Sequence, residues 1–233
     1  MNRKFSEIYS SSINNPEEFW KKISDDMFWF KKPTKILNQS NPPFYKWYED
    51  GVTNTCYNAL DVHIDQGRSN RAALIYDSPV TGNKNIFTYK ELRDKVSKFA
   101  GALQNQGISK GDRVAIYMPM IPEAVIAMLA CGRIGAVHSV VFGGFASNEL
   151  ASRIDDSKAK VLITASCGFE PGRTVEYKPL VDEALKLASH KIDKLILFQR
   201  QGHEVILNAP KEISWEESLS NAKNVDCVEM KSN

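Results

Sequence analysis

The chain has 233 residues, 42% of them hydrophobic, and its 30 basic and 28 acidic residues leave a formal net charge of +2. The length allows one large domain or two small ones, and the apolar content excludes a disordered chain. This near-neutral balance gives no reason to expect nucleic acid or an anionic membrane as a partner.

The cysteines and the apolar stretches indicate in which cellular compartment the protein is expected. Cys56, Cys131, Cys167 and Cys227 are far apart and form no CxxC motif, which argues against zinc and favours reduced thiols. The N-terminus lacks the apolar core of a signal peptide, and prolines and charges interrupt the most apolar stretch, residues 115–137. We therefore expect a cytoplasmic protein that binds no membrane.

Residues 1–60 are rich in aromatic side chains and are broken repeatedly by proline. Pro16, followed by two glutamates, predicts a helix start, because proline suits the first turn and acidic side chains favour the helix dipole. We interpret the segment as an extended cover that packs its aromatic residues on an α/β subdomain spanning 61–233. A flexible tail is the alternative.

A regular pattern begins near Ala72. AALIYD predicts a strand, TGNKN a turn, and FTYKELRDKVSKFAGALQNQG a helix with one apolar stripe. Thr88 and Glu91 have the spacing of a capping box, and Gly107 suits the C-terminal end of the helix.

Strands and helices then alternate. DRVAIYMP, HSVVF, AKVLITAS and DKLILFQR predict strands, and each is followed by a helix. The helices are expected to open at Pro122, behind Ser147 as the N-cap, near Pro179 and behind Ser214. Continuous apolar strands between amphipathic helices indicate an α/β fold with a parallel-rich sheet flanked by helices.

Ligands of such sheets bind at the loops that follow the carboxyl ends of the strands. Three loops qualify: residues 142–146, 166–177 and 199–205. In the first, Phe142 precedes Gly143 and Gly144, so the backbone could approach an anion closely at a helix N-terminus. A tight strand-to-helix turn is the alternative, and neither GxGxxG nor GxxxxGK[ST] occurs in the chain.

The second loop contains Arg173 behind a Pro-Gly pair. An arginine held by a rigid turn can bind a phosphate with two parallel hydrogen bonds. Pairing with Glu170 or Glu176 on the surface is the alternative. Neither a nucleophile elbow nor a zinc-protease motif is present, so no catalytic residue is predicted.

Several stretches resemble the AMP-forming acyl-CoA synthetases, within them the acetyl-CoA and propionyl-CoA synthetase branch. These are TCYNALDVHI, FTYKEL, KGDRVAIYMPMIPEAVIAMLACGRIGAVHSVVFGGFA and EPGRTVEYKPLVDEAL, and the resemblance runs from about Phe28 to Cys227. It implies a ligase that converts a short-chain carboxylate, such as acetate or propionate, and MgATP to an acyl-adenylate, which coenzyme A then attacks. It also implies the first α/β subdomain of the family's large N-terminal domain.

The resemblance places coenzyme A at two loops. Phe142, Gly143 and Gly144 match the family's FGGF turn, and Arg173 matches the second arginine of an RAGR loop. Glu170 stands where the first arginine would be, which leaves the binding of the 3′-phosphate open because a carboxylate repels phosphate.

The family's TSGTTG-type phosphate loop and adenylating lysine have no match in the chain. We therefore expect an N-terminal portion of a synthetase that is inactive alone and packs against the rest of its own chain. A non-catalytic module that binds coenzyme A or a partner is the alternative. A Rossmann-type oxidoreductase fits the βα alternation but lacks the glycine fingerprint.

Overall fold

The computed structural model describes residues 3–232. Its N-terminal part begins with two helices, and the one that starts at Pro16 is as predicted. The other, over residues 3–14, is not among the predicted elements. Three two-residue strands, a π-helical turn at Tyr57–Asp61 and a short helix follow. The labelled elements are α1 (Arg3–Asn14), α2 (Pro16–Ser24), β1 (Leu37–Asn38), β2 (Lys46–Trp47), β3 (Val52–Thr53) and α3 (Val62–Asp65).

Aromatic side chains hold the segment between α2 and the π-helical turn. Trp29 is 9% exposed, and its Nε1 donates to the carbonyl of Ser24 at 2.8 Å. The ring centroids of Phe28 and Tyr57 lie 4.3 Å apart. A buried apolar ring with its N–H satisfied is a strong anchor for an otherwise irregular chain.

An antiparallel hairpin and a long helix come next: β4 (Ala72–Asp77), β5 (Lys84–Thr88) and α4 (Tyr89–Asn105). The predicted helix starts two residues too early, because Phe87 and Thr88 complete β5. The predicted capping box is confirmed. Glu91 N donates to Thr88 Oγ1 at 3.2 Å, and Thr88 N donates to Glu91 Oε2 at 2.9 Å.

The predicted parallel sheet is confirmed. Five strands pair in the order β12-β11-β8-β6-β7, and every neighbouring pair is parallel. A hairpin, β9 with β10, and a last strand that pairs with β3 lie outside this sheet. The elements are β6 (Arg113–Met118), α5 (Pro122–Arg133), β7 (Val137–Phe142), α6 (Ser147–Ser157), β8 (Val161–Ala165), β9 (Cys167–Glu170), β10 (Arg173–Glu176), α7 (Tyr177–Leu187), β11 (Lys194–Phe198), β12 (Glu212–Ser214), α8 (Trp215–Leu219) and β13 (Met230–Lys231).

The sheet has a hydrophobic core on each face. Alternate residues of β6 point to opposite sides, so Val114 and Ile116 pack with α4, α5 and α8, while Ala115 and Tyr117 pack with α6 and α7. On the first face the rings of Phe99 and Trp215 stack with centroids 3.7 Å apart. Helices on both faces explain why the central strands β6, β8 and β11 are mostly apolar and buried.

Two further details predicted from the sequence are wrong: the loop at residues 166–177 and the N-cap at Ser147. The stretch 166–177 is not a long loop: most of it is the β9–β10 hairpin, which turns at Pro171-Gly172, where Gly172 has φ +76°. Ser147 is not an N-cap, because it already lies in α6 and the preceding Ala146 holds the extended cap conformation without a side-chain hydrogen bond. By contrast, Ser214 caps α8 as predicted, accepting from Glu217 N at 3.0 Å.

None of the helices described for residues 3–232 has both the length and the apolar character that a membrane span requires.

Candidate functional site: a cavity at the carboxyl edge of the sheet

A cavity of about 390 Å³ opens where β6 and β7 end, at the edge at which sequence reasoning expects a ligand. The β4–β5 hairpin closes one side, and β9 with Arg200, the second residue after β11, closes another. Main contributors to the lining are Tyr76, Asp77, Met118, Met120, Val140, Phe142, Gly143, Gly144, Phe169, Glu170, Tyr177 and Arg200. Its wall is therefore mostly apolar, with a few polar groups, as is usual for a small-molecule site.

Aromatic side chains pack closely against the glycine turn after β7. A Cβ on Gly143 would lie 2.2 Å from the hydroxyl of Tyr177, and one on Gly144 would lie 2.7 Å from the ring of Phe142. The hydroxyl of Tyr117 donates to the carbonyl of Phe145 at 2.8 Å. Close packing thus requires glycine at residue 143, whereas the exposed Phe142 ring can move away from a side chain at residue 144. The turn presents its backbone to the cavity.

The two tyrosines beneath this turn stay neutral. Burial raises the pKa of Tyr177 to about 12, and burial also raises the pKa of Tyr117. At neutral pH both hydroxyls keep their protons, and that of Tyr117 donates the hydrogen bond to Phe145.

The β9–β10 hairpin places Glu170 and Arg173 opposite each other. Arg173 Nη2 lies 2.6 Å from Glu170 Oε2, and Arg173 Nε donates to the same oxygen at 2.7 Å. Glu170 lines the cavity, whereas the Arg173 side chain is 71% exposed and stands outside the lining. The structure thus brings together four of the five predicted site residues, and it ties Arg173 to them through this ion pair.

Arg200, which follows β11, is a cavity residue that sequence reasoning missed. It is 8% exposed, and its guanidinium carbon lies 4.7 Å from the centroid of the Phe169 ring. Its backbone N–H donates to Ser166 Oγ at 2.9 Å, which fixes the start of the loop. The available signal was its position: it is the second residue after the end of the parallel strand β11, in one of the three loops singled out.

Three charged residues line the cavity among those that the structure describes: Asp77, Glu170 and Arg200. Asp77 and Glu170 each have a basic partner, Lys84 at 2.9 Å and Arg173. In the part of the chain that the structure describes, no carboxylate lies within ion-pair distance of Arg200. A nearly buried guanidinium stacked on a ring and facing a cavity is suited to binding an anion, because burial strengthens its charge interactions.

The fold and this cavity define an α/β protein with a small-molecule site at the carboxyl edge of its sheet, and the comparisons identify its family. The chain belongs to the AMP-binding enzyme family, whose model matches residues 61–229. A second model, described as the acetyl-coenzyme A synthetase N-terminus, matches residues 5–59. The resemblance read from the sequence motifs is confirmed.

Individual relatives agree with this assignment. The human protein named acyl-CoA synthetase short-chain family member 3, mitochondrial, is 52% identical over 94% of this chain. The acetyl-coenzyme A synthetase of Streptomyces coelicolor is 44% identical over 92% of it. The chain spans 32% and 33% of the length of these two proteins.

A solved structure shows the same fold. Acetoacetyl-CoA synthetase from Streptomyces lividans superposes with a TM-score of 0.83 at 23% sequence identity. The match covers 95% of this chain and 33% of that one. The predicted fold class, the first α/β part of such a synthetase, is therefore confirmed.

Proposed function

We propose that this chain is the N-terminal portion of a short-chain acyl-CoA synthetase, which joins acetate or propionate to coenzyme A with conversion of ATP to AMP and pyrophosphate. The observation that carries the proposal is the 52% identity, sustained over 94% of the chain, with a relative named acyl-CoA synthetase. The chain alone is proposed to make no acyl-adenylate, because none of its residues matches the phosphate loop or the adenylating lysine. A cytoplasmic location stays a prediction.

The cavity at the carboxyl edge of the sheet is proposed to take the nucleotide end of coenzyme A. Its fit rests on three features: a backbone turn exposed at Gly143 and Gly144, an apolar wall that includes the 70% exposed Phe142, and the guanidinium of Arg200, which has no carboxylate partner among residues 3–232. A flat base can pack against the ring and methionine surfaces, and a phosphate can pair with the arginine.

Within the reaction, these residues bind and orient rather than react. Coenzyme A supplies the thiol that attacks the acyl-adenylate, and holding its remote end converts binding energy into correct placement of that thiol. The exposed pair of Arg173 with Glu170 stands beside the cavity, where Arg173 is proposed to exchange its carboxylate partner for phosphate. That exchange leaves the Glu170 carboxylate close to a phosphate, which it repels. Arg173 is therefore proposed to contribute less than Arg200 to the affinity for coenzyme A.

Calorimetric titration of coenzyme A into the chain tests the site. Arg200→Ala is expected to raise the Kd about 10- to 100-fold, since a hydrogen bond to a charged group contributes about 1.5–3 kcal/mol. Arg153→Ala, an exposed arginine on α6 outside the cavity lining, is the matched control and is expected to leave the Kd unchanged. Equal affinities of the Arg200 and Arg153 variants would contradict the role of Arg200.

The reaction itself is tested in a polypeptide that carries this sequence together with the additional length present in the relatives. ATP–pyrophosphate exchange is expected to depend on acetate or propionate, and its absence with acetate, propionate and butyrate would exclude a short-chain synthetase. In the same polypeptide Arg173→Ala is expected to raise the KM for coenzyme A and to leave the exchange reaction intact. An unchanged KM would make Arg173 an ordinary surface residue.

A stand-alone module that binds coenzyme A or a partner is the second candidate. The polypeptide's mass in cells, measured with an antibody to this region, distinguishes the two. A species several hundred residues longer supports the synthetase, and a species of 26.2 kDa supports the module.

A further inference from the structure

A second group of reactive side chains lies away from the cavity, around the buried guanidinium of Arg133. This residue ends α5 and is 1% exposed. Its Nη1 and Nη2 donate to the two carboxylate oxygens of Asp61 at 2.7 and 3.0 Å. Nη1 also lies 3.1 Å from the sulfur of Cys227 and 3.7 Å from that of Cys56. One cation thus contacts two thiols and a carboxylate.

Three distant parts of the chain meet at this cluster. Cys56 and Asp61 belong to the turn around the π-helix. Cys227 lies on residues 220–229, between α8 and β13, which we call the return segment. Hydrogen bonds fix that segment: Val225 N donates to Ser97 Oγ at 2.9 Å, and Val228 N donates to the carbonyl of Arg133 at 2.9 Å. The two sulfurs and an Asp61 oxygen all lie within 4.8 Å of one another.

Two thiols and a carboxylate at this spacing suggest a metal site, but the charges oppose it. The guanidinium already donates at 2.7 Å to the Asp61 oxygen and lies 3.1 Å from the Cys227 sulfur. A divalent cation on the same atoms would stand beside a fixed positive charge in a buried setting, which is strongly unfavourable. The remaining chemistry of two adjacent thiols is oxidation.

We propose that Cys56 and Cys227 form a reversible redox pair, which hydrogen peroxide converts to a disulfide and small thiols reduce again. Cys227 is partly buried but still reaches solvent and reacts first, whereas Cys56 is fully buried. The Cys227 sulfur attacks peroxide, the O–O bond breaks, and one water leaves as the sulfenic acid forms. The Cys56 sulfur then attacks the Cys227 sulfur, the S–O bond breaks, and a second water leaves.

The local electrostatics suit the second step. A hydrogen bond from Cys227 lowers the pKa of the Cys56 thiol, and the charge of Arg133 lowers it further. Donation of that hydrogen bond raises the pKa of Cys227, so the first step is slower than for an ordinary exposed thiol. Exposure therefore decides which sulfur is oxidised first, and the lowered pKa of Cys56 favours its attack on the oxidised Cys227 sulfur.

Peptide mapping of the intact chain tests the proposal without any substitution. The folded chain is treated with hydrogen peroxide, free thiols are alkylated, and the protein is digested with trypsin. The expected product is a cross-linked pair of peptides that contain Cys56 and Cys227, lost after treatment with dithiothreitol. Sulfinic acid at Cys227 without a cross-link, or a cross-link of Cys227 to Cys131 or Cys167, would overturn the proposal.

Alanine variants supply the matched control. Cys56→Ala and Cys227→Ala are expected to abolish the cross-link. Cys131→Ala is expected to retain it, because Cys131 is equally buried and burial raises its pKa to about 12. Loss of the cross-link in all three folded variants, as judged by circular dichroism, would overturn the assignment of the pair.

Hydrogen exchange reports the structural consequence. A disulfide at this site ties the return segment to the N-terminal turn, so the amides of Val225 and Val228 are expected to exchange at least ten-fold more slowly in the oxidised chain. Reduction is expected to restore the original rates. Equal rates in the two forms would contradict this locking effect.

Discussion

At the residue scale, the ion pair of Asp61 with Arg133 is the most deeply buried charged interaction described for residues 3–232. The side chains are 11% and 2% exposed, and the guanidinium also donates to the carbonyl of Val225 at 2.6 Å. Burial lowers the pKa of Arg133, but the hydrogen bonds to Asp61 outweigh this effect and raise the pKa overall. The charge is therefore permanent, and its partner is required for stability.

Removing that partner has a predictable cost. Asp61→Asn is expected to lower the free energy of unfolding by about 3–5 kcal/mol, because a buried guanidinium loses its counter-charge. Asp77→Asn is the control, since the pair with Lys84 is exposed and contributes only about 0–1 kcal/mol. Urea denaturation measures both. Equal midpoints for the two variants would show that burial does not distinguish these pairs.

Asp112 makes the stability depend on pH at the acid end. A hydrogen bond from Lys160 at 2.8 Å, aided by Ser109, lowers the pKa of this carboxyl to about 2. A depressed pKa in the folded state stabilises the protein above the unfolded value of about 3.9, and the effect is lost as the pH falls towards 2.

The Asp112→Asn variant isolates this effect. Its deficit in unfolding free energy relative to the wild type is expected to be constant between pH 5 and 8 and to shrink below about pH 4. Urea titrations at several pH values measure the difference. A deficit that stays the same down to pH 2.5 would contradict the proposed ionisation.

At the element scale, α4 is closely packed against the return segment. A Cβ on Gly101 would lie 1.9 Å from the carbonyl oxygen of Lys223. Alanine normally stabilises a helix interior by about 1 kcal/mol relative to glycine, but this clash with backbone cannot be relieved by rotating a side chain.

Gly101→Ala is therefore expected to destabilise the chain by about 1–3 kcal/mol and to increase amide exchange at Val225. Gly132→Ala in α5 is the control, because the nearest atom to its Cβ would be the Thr55 hydroxyl oxygen at 3.3 Å. Urea midpoints and hydrogen exchange give the comparison. A more stable Gly101→Ala variant would mean that the return segment does not pack closely against α4 at Gly101.

Elements with strong periodicity or capping signals could be predicted from the sequence. The βα alternation, the capping box at Thr88 and the helix that begins at Pro122 all match the structure. The β9–β10 hairpin could not be foreseen, because a Glu-Pro-Gly-Arg turn between short segments also fits a loop. In the site, the glycines after β7 could be recognised as a turn from the sequence. The role of Arg200 could not, because its guanidinium is held by the Phe169 ring of a different strand, β9.

At the scale of the whole molecule, the C-terminal end of the described chain joins the N-terminal segment at β3. Strand β13 pairs antiparallel with β3, and Asn54 Nδ2 donates to the carbonyl of Val228 at 2.8 Å. This contact and the Arg133 cluster attach the N-terminal segment and the return segment to α5. The cavity lies at the opposite end of that helix, beyond its first residue, Pro122.

The central claim is that this carboxyl-edge cavity binds the nucleotide end of coenzyme A. The most direct measurement is a titration of the ¹⁵N-labelled chain with coenzyme A, followed by amide chemical shifts. We expect the amides of Gly143, Gly144 and Gly168 to shift progressively, while those of Gly67 and Gly107, outside the cavity lining, stay fixed. Fixed signals at the first three glycines, at coenzyme A concentrations that shift others, would contradict it.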